Sequence, residues 1–258
     1  MVKIGEREMV TVVPGDCRGK ALVLPCGDSA LTVQFENRID ASVNDAVLSL
    51  QAALLKLRPA VIETIPTYCS LLVRYDPEMI GFDALKSGVL SACRELDVDA
   101  NASSHWEIPV VYGGTFGIDL DAVASKTGMT SENLVKLHSK PVYRVYMIGF
   151  VPGFAYLGGL DPLLFAERLS EPRLSAPTGS ITIGGMQTAI TSIEAPCGWH
   201  QIGRTPVRLF KPDRDPICLL AAGDTVKFTP INATKWHALA LKALSGDWGQ
   251  DANDSDSH

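Results

Sequence analysis

YRVYMIGF at residues 143–150 opens a series of short β-rich runs: SITIGG at 180–185, TAITSI at 188–193, VRLF at 207–210 and ICLLAAGDTVKFTPI at 217–231. Val, Ile, Thr, Tyr and Phe dominate them, and Gly or Pro punctuates the joins. Branched and aromatic side chains suit a pleated, half-buried surface, while Gly and Pro supply turn geometry. Short strands at this spacing predict a barrel or a sandwich. Immediately upstream, LDAVASKTGMTSENLVKLH predicts two short helices, Asp119–Lys126 and Thr130–Ser139, separated at Gly128. Their outline is that of a helix-turn-helix. The second helix, however, offers only Lys136 and Lys140, offset by Glu132, where base reading needs several donors aimed at a groove. A packed αα-hairpin is the better reading.

The first third has another texture. Leu31, Val33 and Phe35 alternate with Thr32 and Gln34, the period of a half-buried strand. Ile39, Val43, Ala46, Val47, Leu50, Leu54 and Leu57 fall on one helical face, with Asp40 placed to cap the helix and Arg58-Pro59 to stop it. Val61–Ile65 and Ser70–Tyr75 read as strands, and Phe82–Leu96 as a second amphipathic helix. The order predicts an α+β domain with helices on one face of an antiparallel sheet. The expected organisation is a loose arm over 1–20, the α+β domain over 21–103, a β-rich domain over 104–245, and a disordered acidic tail over 246–258. A polar linker, VDANASS, runs through 98–104.

Bulk properties narrow the function. The 258 residues are 46% apolar and carry 23 basic against 29 acidic side chains, a net charge of -6. That balance argues against nucleic acid as the main partner. No apolar run reaches membrane-spanning length and the charged N-terminus lacks a leader's apolar core, so a cytoplasmic protein without membrane contact is expected. Cys17, Cys26, Cys69, Cys93, Cys197 and Cys218 are scattered, which suits small buried thiols and not a disulfide framework or zinc site. The five histidines show no ligand spacing, and no metal is expected. Gly15–Lys20 falls one residue short of a phosphate loop and is followed by Ala21, which has no hydroxyl for magnesium.

The chemistry-bearing region is 143–206. In GFVPGFAYLGG (149–159), glycine permits positive φ and close backbone approach to a ligand, and Phe150, Phe154 and Tyr156 can wall a pocket. Gly153, Phe154 and Tyr156 are therefore candidate binding residues. A structural loop whose rings plug the core fits the same spacing. Arg173 and Arg204 are candidate anchors for carboxylate or phosphate, because the guanidinium fork matches both. Ser180, Thr205 and Gln187 suit orientation of an amide. His200 is the histidine of this cluster and, with Gln187, the catalytic candidate. The set lacks an obvious nucleophile–base pair, which suggests that the remainder lies on another chain.

YRVYMIGFVPGFAYLGGLDP, EPRLSAPTGSITIGGMQTAI and PCGWHQIGRTP closely resemble the KipI / allophanate hydrolase subunit 1 family. LPCGDSALTVQFENRID and TIPTYCSLLVRYDP extend the resemblance upstream, to roughly residues 21–231. It departs at Met186, Ala189 and Cys197, where the family usually has Gly, and at Thr191-Ser192, where an aromatic-Pro pair is usual. The resemblance implies a ferredoxin-like N-terminal domain followed by a cyclophilin-like β-barrel domain. It further implies one component of an ATP-dependent 5-oxoprolinase, inactive alone, with ATP shared with or bound by a partner. The implied partners are a carboxyltransferase-type (KipA-like) C component and a separate 5-oxoprolinase A component. Two alternatives accompany it: KipI-like inhibition of a sensor histidine kinase, and an amide-processing role on allophanate or urea.

Overall fold

A computed structural model describes residues 9–12, 19–96 and 103–245. Residues 1–8, most of the expected linker, Cys17 and the acidic tail lie outside the described residues. The chain divides into two compact units, Met1–Ala102 and Ser103–His258.

The first unit is an antiparallel sheet with two helices. Its strands are β1 (Met9–Val12), β2 (Gly19–Pro25), β3 (Ala30–Gln34), β4 (Val61–Pro66) and β5 (Ser70–Tyr75), in the order β1-β2-β3-β5-β4. Helix α1 (Ala41–Leu54) follows β3, and α2 (Phe82–Ala92) follows β5. The alternation read in β3 has its physical cause here: Leu31 and Val33 are fully buried, with Val47, Leu50, Leu54, Leu71, Leu85 and Val89 around them. Asp40 caps α1 by accepting from the Ser42 amide at 2.9 Å. The Ser42 side chain and amide hold the Asp40 carboxyl below its usual range, against a smaller opposing effect of burial. Burial pushes the Cys93 thiol up to about 12. One expectation fails: in place of a loose arm, the N-terminal stretch contributes β1 and the start of β2, paired from Met9–Leu22 to Val12–Gly19.

The second unit is a closed barrel. Its strands are β6 (His105–Tyr112), β7 (Val142–Ile148), β8 (Ala155–Gly158), β10 (Ser180–Gly184), β11 (Gln187–Ile190), β13 (His200–Arg204) and β14 (Thr225–Pro230), in the order β10-β11-β8-β7-β14-β6-β13, closing on β10. A ribbon of β9 (Arg173–Ala176) and β12 (Ala195–Cys197) is separate. Between β6 and β7 lie α3 (Leu120–Lys126) and α4 (Ser131–Ser139), and α5 (Trp236–Ser245) follows β14. Ile108, Val110, Tyr143, Val145, Leu157, Ile181, Ile183, Ile202, Val226 and Phe228 fill the core. Strand alternation sends one side chain in two to the interior, which is why short strands suffice. Thr130 caps α4 through the Asn133 amide at 3.2 Å. The α4 face carrying Leu134 and His138 is fully buried. His138 bridges the Tyr112 hydroxyl at 2.8 Å and the Thr188 hydroxyl at 3.0 Å, and burial lowers its pKa to about 3.

Several strand expectations change. VRLF forms no strand, only an isolated bridge from Phe210 to Cys218, and 217–231 contributes strand only at β14. Conversely β6 and α5 have no counterpart in the sequence reading. Pro109 argues against a strand interior, yet it sits in β6 opposite Thr229 of β14, the parallel pair of the barrel. Of the five described cysteines, all free, Cys93 and Cys197 are buried whereas Cys26 is exposed. Among the described residues no helix is long and apolar enough to cross a membrane, and no group of three His, Cys, Asp or Glu could hold a metal ion.

Candidate functional site

Arg173 heads β9, facing Cys197 of β12. Its Nη2 donates to Asp119 Oδ1 at 2.5 Å. Asp119, expected to open a helix, makes no side-chain cap; its Oδ2 accepts from the Gln201 amide at 2.7 Å. Gln201 Nε2 donates to the Phe116 carbonyl at 2.7 Å. One carboxylate thus ties the turn before α3 to both β9 and β13. The charge of Arg173 is met within the fold, although its Nη1 is buried without a partner.

His200 lies 2.9 Å through Nε2 from the Glu167 carbonyl oxygen. A carbonyl only accepts, so Nε2 carries a proton and Nδ1 of a neutral ring is an acceptor. Nδ1 is buried and unpartnered. Beside it runs a chain of rings: Phe150 to Phe154 at 5.6 Å, Phe154 to Tyr156 at 4.7 Å, Tyr156 to Trp199 at 5.9 Å, with Arg168 5.6 Å over Trp199. The Trp199 ring lies on Gly184, where an added Cβ would stand 2.4 Å from it, so glycine is required there. Gly153, at φ 75°, turns the 149–159 loop so that Phe154 packs inward with Ala176, Ala189, Cys197 and Trp199. Phe154 is a core ring; Phe150, at φ 70°, is 63% exposed. Burial raises the pKa of both Tyr156 and Cys197.

Arg204, at the end of β13, stands elsewhere. It lines a cavity of about 310 Å³ with Thr178, Glu194, Thr205, Arg208 and Trp236. Its Nη2 donates to the Thr178 carbonyl at 3.1 Å and its guanidinium lies 5.2 Å over the Trp236 ring. Its Nε is buried and unpartnered. Burial, and secondarily the Arg208 charge, lower its pKa. Trp236 in turn packs on Phe116 at 4.8 Å. The neighbouring hydroxyls serve the frame: Ser180 Oγ donates to the Pro177 carbonyl at 2.7 Å, and Thr205 Oγ1 accepts from the Val207 amide at 3.2 Å.

The single cationic recess expected from the sequence is therefore not what the chain builds. The cavity lining includes Arg204 and Thr205 but not Arg173, Gln187, His200, Gly153, Phe154 or Tyr156, and Ser180 supports its rim from behind. Gln187 is half-buried at the head of β11, opposite Gly184. Arg173 is drawn away because a partly buried guanidinium needs a counter-charge, and Asp119 provides it. Sequence reasoning missed Asp119, Glu194, Arg208 and Trp236. Arg208 was visible four residues after Arg204, but in a run read as strand.

The profile of the carboxyltransferase domain, subdomain C and D, matches residues 21–220. The chain belongs to this carboxyltransferase-domain family. Within the family's range it is similar to the B subunit of 5-oxoprolinase from Bacillus subtilis (strain 168), 40% identical over 82% of this chain and 93% of that protein. It is also 38% identical to the 5-oxoprolinase B subunit of Escherichia coli O157:H7, over 79% of this chain and 93% of that one. The crystal structure of Kluyveromyces lactis urea carboxylase superposes with a TM-score of 0.75 at 19% identity, covering 94% of this chain and 25% of that chain, a likeness of fold alone. The family match spans β2 to the residues just before β14, so both the Arg173 and the Arg204 surroundings fall within it.

Proposed function

We propose that this chain is the B subunit of an ATP-dependent 5-oxoprolinase, which opens 5-oxoproline to glutamate. The observation that carries the reading is the pair of relatives bearing that name, each matched over 93% of its own length. The chain acts in the cytoplasm with a carboxyltransferase-type C component and a separate A component, and is inactive alone. The first folding domain includes the β1–β2 hairpin, and the division from the second falls at Ala102/Ser103. In the first, β3-α1-β4-β5-α2 with β2 beside β3 has the strand order of a ferredoxin-like sheet in which the last strand is supplied by the N-terminal hairpin. The second is cyclophilin-like in its barrel, without importing that fold's activity.

A lactam carbonyl is inert because resonance stabilises it. Transfer of the terminal phosphoryl group of ATP to its oxygen creates a leaving group, at a site shared with or held by a partner protein. One water adds to the carbon, the ring C–N bond breaks with a proton passing to nitrogen, and a second water releases phosphate from the acyl phosphate. Arg204 anchors the anion, and its donors stabilise developing negative charge. His200 and Gln187 lie outside the Arg204 cavity and take no step there; the proton acceptor comes from a partner component. Arg173 holds the frame of that region through Asp119. The three co-expressed components form glutamate from 5-oxoproline and ATP with this chain present and fail without it; undiminished turnover in its absence rejects the reading.

A further inference from the structure

We infer that the cavity bounded by Arg204, Arg208, Glu194 and Trp236 is a recognition site for a small lactam bearing one carboxylate. This rests on the reading above and adds three residues that the sequence motifs did not supply: Arg208, Glu194 and Trp236. At about 310 Å³ the cavity is at the small end of ligand pockets, which run from about 300 to 1,000 Å³, and holds one small molecule.

Its charges select a monoanion. Two guanidinium groups face one carboxylate in the lining. Arg204 is held in place before any ligand arrives, by the Thr178 carbonyl on one edge and the Trp236 ring on its face. A cation already fixed and partly desolvated loses little freedom on binding. Arg208, exposed at the rim, provides the second donor group for the carboxylate.

Glu194 accounts for the amide. Its Oε1 accepts from the Ser175 hydroxyl at 2.5 Å, which fixes the carboxylate and leaves Oε2 to accept from a ring N–H. Trp236, Pro206, Val207 and Ala240 give the apolar wall against which ring methylenes pack. Carboxylate, N–H and apolar edge together describe a five-membered lactam acid. 2-Pyrrolidone lacks the carboxylate that the two arginines recognise.

The test uses the reconstituted enzyme containing the full chain. Arg208→Gln and Glu194→Gln, both at exposed positions, raise the KM for 5-oxoproline about ten- to a hundredfold, the effect of losing one charged hydrogen bond, while kcat stays within about twofold. 5-Oxoproline also produces a saturable change in tryptophan fluorescence of the full chain that Trp236→Phe abolishes and that 2-pyrrolidone does not reproduce. If the enzyme turns over 5-oxoproline and both glutamine variants keep the parental KM, the cavity assignment is overturned while the 5-oxoprolinase reading stands. If the assembled complex shows no turnover dependent on 5-oxoproline, the reading fails and the inference fails with it.

Discussion

Arg173 and Arg204 sit 31 positions apart in one motif-rich region, and the fold treats them oppositely. Arg173 meets a carboxylate that itself bonds to a strand amide, so its charge serves cohesion. Arg204 meets a carbonyl and an aromatic face, with a second arginine and one carboxylate, Glu194, in the same cavity lining, so positive charge stays in excess there. Residue type does not separate the structural cation from the binding one; the sign of the nearest buried neighbour does.

The largest break in this comparison comes from Asp119→Ala. It strands the Arg173 guanidinium and the Gln201 amide, and costs about 3 kcal/mol in urea unfolding, the scale of removing one partner from a largely buried pair. A loss below about 0.5 kcal/mol, the level of an ordinary surface substitution, sinks the assignment of Arg173 to cohesion.

Acid unfolding separates both arginine regions from a third source of pH dependence. His138 has a folded pKa of about 3, lowered by burial from 6.5. Below 6.5 the unfolded chain takes up a proton that the folded chain refuses. The contribution is therefore complete above pH 6.5 and declines as pH falls toward 3, by about 1.4 kcal/mol per pH unit. His138→Gln is less stable at pH 7 but loses less stability between pH 6.5 and 4.5 than the parent; equal slopes in the two proteins would exclude His138 as the cause.

The smallest stability effect is expected at Arg204. Arg204→Gln removes one hydrogen bond to a carbonyl and a cation–π contact, together about 1 kcal/mol, yet it abolishes most 5-oxoproline turnover in the complex. Thermal melting and steady-state kinetics on the same preparation check both halves. A variant that melts far below the parent places Arg204 with Arg173, and the contrast dissolves.

Much of the fold was legible because it repeats. The strand around Leu31 and Val33, the helix behind Asp40 and the helix capped by Thr130 each state a period and an end in consecutive residues. β6 was hidden by Pro109, whose missing N–H is tolerated where that strand runs parallel to β14. β1 was hidden in a stretch without alternation, and α5 because Leu241 and Leu244 remain 69% and 55% exposed and trace no buried stripe. VRLF has strand composition, but the barrel passes it by. At the site, the motif named Arg173, His200 and Arg204 but not their surroundings, since Asp119 and Trp236 arrive from 54 and 32 residues away. Charge pairing at that range leaves no periodic trace.

The parallel neighbours β6 and β14 have a consequence for biosynthesis. Val110, fully buried, lies beside a strand that ends at Pro230. A ribosome must therefore release more than a hundred further residues before this first-made wall of the barrel gains its parallel neighbour. Until then its apolar face is open to chaperones and to other nascent chains, and closure over so long a loop is slow.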